Sequence, residues 1–386
     1  MDIIYEYIKM KGFDYGKAMF QIGNIKRQFR GINQLPVVDH KYIVINSIDI
    51  GILLFDFDLN LIKTIDKLGG NPLSVKLIYN RLLVFSDEYA KKMYRYDTYL
   101  DDLHEVEYDS LFKVGITHKN YHFTGFREIH RCYHLPSLEV KWQYETTKDE
   151  LETVRGIINN YLICSGQYNK SGCVILRDIE TGKKVKEISK DDYSELRHLN
   201  HLGAWYMIEN SFVASGPLPP VDHQDQIRKG KRCWYSINVE TKKLNWFLDI
   251  EHPLVQSMYA DNCNYSIYYH LAKKEFYYRK IDFVTGQILE DICVHDQIME
   301  LRKEDPEEYE KRMGYFTFNP IVVSEDYFYF GFCSLLIEMD KRTHQMRIAY
   351  VAGNKIQKGR IINNYLFTVG NGLLVFEGTK KEAKIQ

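Results

Sequence analysis

An all-β fold built from about eight copies of one four-stranded unit is what this sequence predicts. Three observations carry the prediction. Aromatic residues make up 14% of the chain, with 30 Tyr and 20 Phe against 9 Pro, a composition suited to pleated, half-buried surfaces. Short apolar runs bounded by Asn, Gly and Asp recur along the whole length, which favours strands over helices. A turn of one design also returns at one place in the unit, in Asp178-IETG-Lys183, Asn238-VETK-Lys243, Asp282-FVTG-Gln287 and Asp340-KRTH-Gln345. Asp or Asn caps such a turn through its side chain, and Gly takes a left-handed conformation there without penalty. Four-stranded units spaced by roughly forty residues stack radially into a single β-propeller. Eight blades fit best, with seven the runner-up.

In order along the chain, residues 1–28 stand outside the repeat, and 18–22 form a candidate strand that covers an edge of the C-terminal unit. Residues 29–386 form the propeller domain. Unit one has runs at 42–46, 51–55 and 62–65, and unit two at 81–86, 92–96 and 103–106. Unit three has 121–125, 129–134 and 138–144. Unit four, the clearest copy, spans 154–188, and its IINNYLICSG returns almost unchanged as IINNYLFTVG at 361–370 in unit eight. Unit five has 211–216, 233–238 and 244–248; unit six has 265–270, 276–282 and 288–293; unit seven has 327–332, 335–340 and 345–351. A short helix is expected only over 298–312, where Pro306 follows an acidic stretch.

Charge and cysteine usage narrow the function classes. Lys plus Arg is 51 and Asp plus Glu is 52, a net charge of −1 that lacks the basic excess of a general nucleic-acid binder. The seven cysteines stand singly with no CxxC pair, as buried reduced thiols do, so no metal site is expected. The first residues carry no secretory pattern and no run of 18 apolar residues occurs, so the expected setting is cytoplasmic, away from membranes.

The repeated turn resembles that of the quinoprotein-alcohol-dehydrogenase-like, or PQQ-like, propellers, whose repeat reads D-x-x-T-G-K-x-x-W. The carriers are Asp178 with Thr181-Gly182-Lys183, Asp282 with Thr285-Gly286, and Asn238 with Thr241 and Trp246, while Trp142 stands at a matching place. The resemblance covers 29–386 and implies the blade architecture. The family's enzymes bind a quinone and calcium, but no Glu/Asn/Asp calcium set aligns with this chain, so no cofactor is expected. The resemblance also implies that the loops from second to third strands and those from blade to blade share one face of the disc.

No catalytic constellation stands out. His198 and His201 are three residues apart, yet no HExxH or third ligand accompanies them. Asp222 to Asp225 are adjacent on a loop, which does not hold a base and its orienting partner in place. The leading expectation is therefore a non-enzymatic scaffold that binds another protein, since loops on rigid frames commonly carry recognition. A sharper form is a bacterial immunity or antitoxin-type protein that blocks a cognate toxin. The alternatives are a hydrolase or lyase with a central pocket and a small-ligand or glycan binder. Three long insertions, 189–202, 217–230 and 295–314, place the binding surface. Ile298, Leu301 and Tyr309 would share a helical face as an apolar anchor, with His223, Asp225 and Arg228 as a polar rim and His198 and His201 beside them.

Overall fold

The computed structural model describes residues 35–379 apart from short interior stretches, of which the longest are 67–72, 166–172, 218–231, 251–255, 305–317 and 352–357, together with strands at Tyr15–Gly16 and Gln21–Phe29. The chain is an eight-bladed β-propeller of four-stranded antiparallel blades. Blade 4 shows the pattern: Glu152–Ile158, Tyr161–Ser165, Cys173–Asp178 and Lys184–Ser189 pair in sequence order, from the innermost strand outward. Blades 3 and 4 also touch edge to edge where Phe126 and Arg127 pair with Thr153 and Glu152.

The middle strands explain the apolar runs. Leu82–Asp87 and Tyr327–Phe332 are buried at every position, because a blade is covered on both faces by its neighbours. Side chains alternate between those faces. In blade 4, Ile163 packs towards blade 5 with Phe212 and Tyr235, whereas Leu162 and Cys164 pack towards blade 3 with Phe123 and Cys132. Eight apolar clusters result among the described residues, one in each seam, and the seams of blade 8 with blades 7 and 1 complete the ring. The outermost strands, such as Ile288–Cys293, alternate between exposed and half-buried, as a solvated edge does.

Three sequence expectations need correction. The innermost strand of most units was not anticipated: it is Val37–Val38 in blade 1, Gly115–His118 in blade 3 and Tyr206–Ile208 in blade 5. These strands are short and of mixed polarity, so no apolar run marks them. The N-terminal segment does more than cover an edge, because Gln21–Phe29 is the outer strand of blade 8, antiparallel to Gly372–Thr379. The domain boundary at 28/29 therefore cuts through a blade. The helix begins earlier than expected: α1 spans His295–Arg302, directly after the N–H of Val294 bonds to the Phe276 carbonyl at 2.9 Å. Asp296 in its first turn and Arg302 in its last complement the helix dipole. Residues 305–312 of the expected helix lie outside the described residues.

Turns between third and fourth strands follow the predicted chemistry. Asp178 Oδ1 accepts from the N–H groups of Glu180 and Thr181 at 3.1 and 2.8 Å, and Asn238 and Asp340 do the same in blades 5 and 7. Each turn ends in a left-handed residue: Leu59, Asp101, Leu138, Gly182, Lys242, Gly286 and His344 in blades 1 to 7. The residue four positions later lies on the outer strand, and in five blades it latches onto the turn of the next blade. Trp142 and Trp246 donate their indole N–H groups to the Ile179 and Val284 carbonyls, both at 3.1 Å. Lys186 pairs with Glu240 at 2.9 Å, Glu290 with His344 at 2.6 Å, and Lys63 with Asp101.

Candidate functional site

Antiparallel order fixes which loops share a face. Connections from second to third strand and from blade to blade leave one end of every blade, here the insertion face. Turns between third and fourth strands leave the other end, the turn face. By this rule the strand ends that flank all three long insertions stand at the insertion face: Ser189 and Tyr206 between blades 4 and 5, Pro217 and Arg232 within blade 5, and Cys293 and Phe318 between blades 6 and 7.

Two of the three insertions spend their described residues inside the seams. Tyr193, Leu196, Leu199 and Leu202 join the apolar cluster between blades 4 and 5, and the Tyr193 hydroxyl donates to the Lys242 carbonyl at 2.9 Å. Helix α1 behaves alike. Ile298 and Leu301 are 0% and 8% exposed, packed with Phe276, Phe318 and Phe332 between blades 6 and 7. Gln297 pins the helix, donating to the His344 carbonyl at 3.0 Å and accepting from the Met346 N–H at 2.9 Å. Ile298 and Leu301 are thus wedge residues of the core, not an exposed anchor, because the seam offers the helix's apolar side a place to bury. Tyr309, His223, Asp225, Arg228, His198 and His201 lie outside the described residues, so the expected rim is not placed.

The structure instead brings together two residues that sequence reading passed over, Arg155 and Trp205. Arg155 sits on the innermost strand of blade 4, where pairing shifts register between Val154 and Gly156. It is the extra residue of a bulge, a feature that re-aims a side chain. Its Nε donates to Ser165 Oγ at 3.0 Å, and Ser165 ends the second strand, at the insertion face. Trp205 immediately precedes the innermost strand of blade 5 and is fixed by its N–H to the Val213 carbonyl at 3.0 Å. The Arg155 guanidinium carbon lies 5.6 Å from the indole centroid, within cation–π range, while Trp205 remains 49% exposed.

Gly203 makes room for Trp205, and Gly156, next to Arg155, makes room for Met207. A Cβ on Gly203 would come within 2.6 Å of the Trp205 indole nitrogen, and one on Gly156 within 2.4 Å of Met207 Cγ on the neighbouring inner strand. Gly203 is held in turn by its N–H to the Tyr235 hydroxyl at 2.8 Å. A signal for Arg155 and Trp205 did exist in the sequence. Arg155 is a cation in the strand ETVRGII, beside its apolar end, but only the bulge shows which way it points.

Elsewhere, arginines from buried to exposed meet carboxylates. Arg177 forms a fork with Glu152, at 2.8 and 3.0 Å, and lies over the Tyr144 ring. Arg131 meets Asp109, Arg279 meets Asp291, and Arg347 meets Glu338. Arg155 meets no carboxylate among the described residues, only a hydroxyl and an indole. Burial accordingly holds its basicity below the ordinary arginine value. Burial is the largest influence on Arg177 and Arg347 too, but hydrogen bonds to Glu152 and Glu338 together with the nearby negative charge more than offset it and raise theirs. Among the described residues no group of three or more His, Cys, Asp or Glu could hold a metal ion, and no helix is long and apolar enough to cross a membrane. Five of the seven cysteines are buried, Cys263 is half-buried, and Cys293 is exposed, so the expectation of buried thiols fails at that residue.

No family model and no curated protein matches this sequence. Solved structures do resemble it. BamB from Moraxella catarrhalis is 10% identical over 91% of this chain and 99% of its own, with a TM-score of 0.58. The computationally designed Ika8 protein is 11% identical over 91% and 97%, with a TM-score of 0.55. Sqt1 from Saccharomyces cerevisiae is 10% identical over 92% and 98%, with a TM-score of 0.54. At such identities the shared feature is the propeller fold.

Proposed function

We propose that this propeller is a non-enzymatic, protein-binding scaffold that recognises its partner through the insertion face. The observation that carries the reading is the asymmetry of the disc. The turn face is closed by short turns of one design, while the insertion face holds all the long connections and the open Arg155–Trp205 pair. Rigid frames with irregular loops on one side commonly carry recognition there. The chain is further proposed to be a divergent PQQ-like propeller, because Trp142 and Trp246 occupy the tryptophan position of that repeat and dock on neighbouring turns. Its cysteines, five of the seven buried, support a reducing, cytoplasm-like setting. In its sharper form, the partner is a cognate toxin that the propeller blocks.

The test is affinity capture from native lysate with the full chain, followed by the same capture with 218–231 replaced by a short turn. The reading expects a stoichiometric partner that the shortened variant loses while its melting temperature is unchanged. A partner retained by the shortened variant and equally by turn-face variants, or turnover in a broad activity screen, would overturn it. For the toxin form, a captured partner that halts growth alone and does not when co-expressed with this chain is the expected result.

A further inference from the structure

We propose that Arg155 and Trp205 form a carboxylate-accepting site, which takes an acidic side chain of the protein bound at the insertion face. The inference rests on the protein-binding reading and names the chemistry of one contact within it.

A guanidinium taken partly out of water is stabilised when its donors are satisfied, and the fold meets that need at Arg131, Arg177, Arg279 and Arg347 with an acid in each case. At Arg155 it uses Ser165 for Nε alone and leaves the terminal nitrogens without a carboxylate among the described residues. The placement is nonetheless constructed. A bulge aims the side chain, Gly203 clears space for the indole, and the Val213 carbonyl fixes the backbone that carries it. A planar cation lying against a half-exposed aromatic face presents its remaining edge as a two-pronged donor, the geometry that matches a carboxylate. Phosphate is matched less well, since no second cation of the described residues acts on Arg155. Arg155 sits on an innermost strand and Trp205 on the blade-to-blade connection, so a partner covering the insertion face reaches both. Bulges shift other innermost strands too, around Lys76 and Ile321, but Ile321 is buried and carries no charge. The arginine with an indole beside it belongs to blade 4.

The four tryptophans give a direct readout, because Trp205 can be assigned in a ¹H–¹⁵N spectrum of indole groups by comparison with W205F. The full chain is titrated at low salt with a capped tetraglutamate peptide, with its tetraglutamine counterpart, and with inorganic phosphate. The expected result is a saturable shift of the Trp205 indole with tetraglutamate, none with tetraglutamine, and weaker binding of phosphate. Arg155→Gln should weaken tetraglutamate binding by about tenfold or more, and Arg155→Lys, which keeps charge but loses the fork, should fall between. Trp205→Leu changes a half-exposed side chain and should weaken binding followed by calorimetry, which keeps the proposal testable if Arg155→Gln folds poorly. An equal shift with tetraglutamine, unchanged affinity in R155Q or W205L, or phosphate binding tighter than the peptide would overturn the assignment. A partner captured by wild type and equally by R155Q would sink this site and leave the protein-binding reading intact. Loss of all capture with peptide binding preserved would do the reverse.

Discussion

Gly182 and Gly286 each answer two demands. Their φ angles of +70° and +76° are left-handed, and a Cβ on either would come within 2.8 and 2.5 Å of the Trp142 and Trp246 rings. Alanine at either position therefore adds backbone strain and displaces an indole from the neighbouring blade. We expect Gly182→Ala and Gly286→Ala to lower stability by about 1–3 kcal/mol each in urea unfolding, where alanine at an unstrained exposed site would cost little. The turn acids make a second prediction. Burial alone would raise the Asp340 carboxyl, but N–H groups of Thr343 and Arg342 more than reverse this, so it lies below its ordinary value of 3.8. A depressed carboxyl contributes stability above its unfolded pKa and loses it as pH falls through the folded value. Asn238 holds the same turn in blade 5 without a titrating group. Asp340→Asn should accordingly keep the fold at pH 7 and lose less stability than wild type on acidification below pH ~4. Parallel acid-unfolding curves for the two proteins would count against it.

Seams show how such residues work as elements. Where the latch is tryptophan, the socket beyond it is glycine; where the socket residue carries a side chain, the latch is charged, as at Lys63–Asp101, Lys186–Glu240 and Glu290–His344. The two positions are therefore predicted to be coupled. Glu290→Trp alone should push an indole against the Cβ of His344, and His344→Gly alone should strip the pair from Glu290. Together they recreate the Trp/Gly pattern. A double-mutant cycle should show favourable coupling of about 1 kcal/mol or more, against the 0.3–0.5 kcal/mol scatter of independent sites. Much of this seam was legible beforehand, because Asp178, Asn238, Asp282 and Asp340 announce a turn through local hydrogen bonding that needs no tertiary partner. Helix α1 was legible only in part. Its apolar spacing through Ile298 and Leu301 was readable, but a stripe of that kind fits a partner's groove as well as the protein's own seam. Burial between blades 6 and 7 decides the matter. Arg155 and Trp205 were missed because 50 residues separate them and only inter-blade packing makes them neighbours.

At the scale of the whole molecule, the ring closes through non-covalent pairing of Gln21–Phe29 with Gly372–Thr379 in blade 8. The internal copies favoured eight blades over seven, yet left the closing strand unassigned because 1–28 carries no copy of the unit. Removing residues 1–29 would leave Gly372–Thr379 as an exposed edge, and such edges pair with other chains. We expect the truncated protein to unfold at lower temperature and to form dimers or larger species in light scattering; a monomer with the wild-type melting profile would contradict this role. The register of the closing pair also has a mechanical meaning. Ile22 lies opposite Gly378 and Phe29 opposite Leu373, while Tyr15 and Gly16, ahead of that strand, pair in parallel with Gly378 and Thr379. Tension applied between the termini therefore meets the short parallel contact first and loads it in shear, and only behind it can the long antiparallel pair peel apart one residue pair at a time, like a zip fastener. Two residue pairs in shear thus act as the catch of the fastener, and once they slip the disc is expected to open at blade 8 while its other seven blades are still folded.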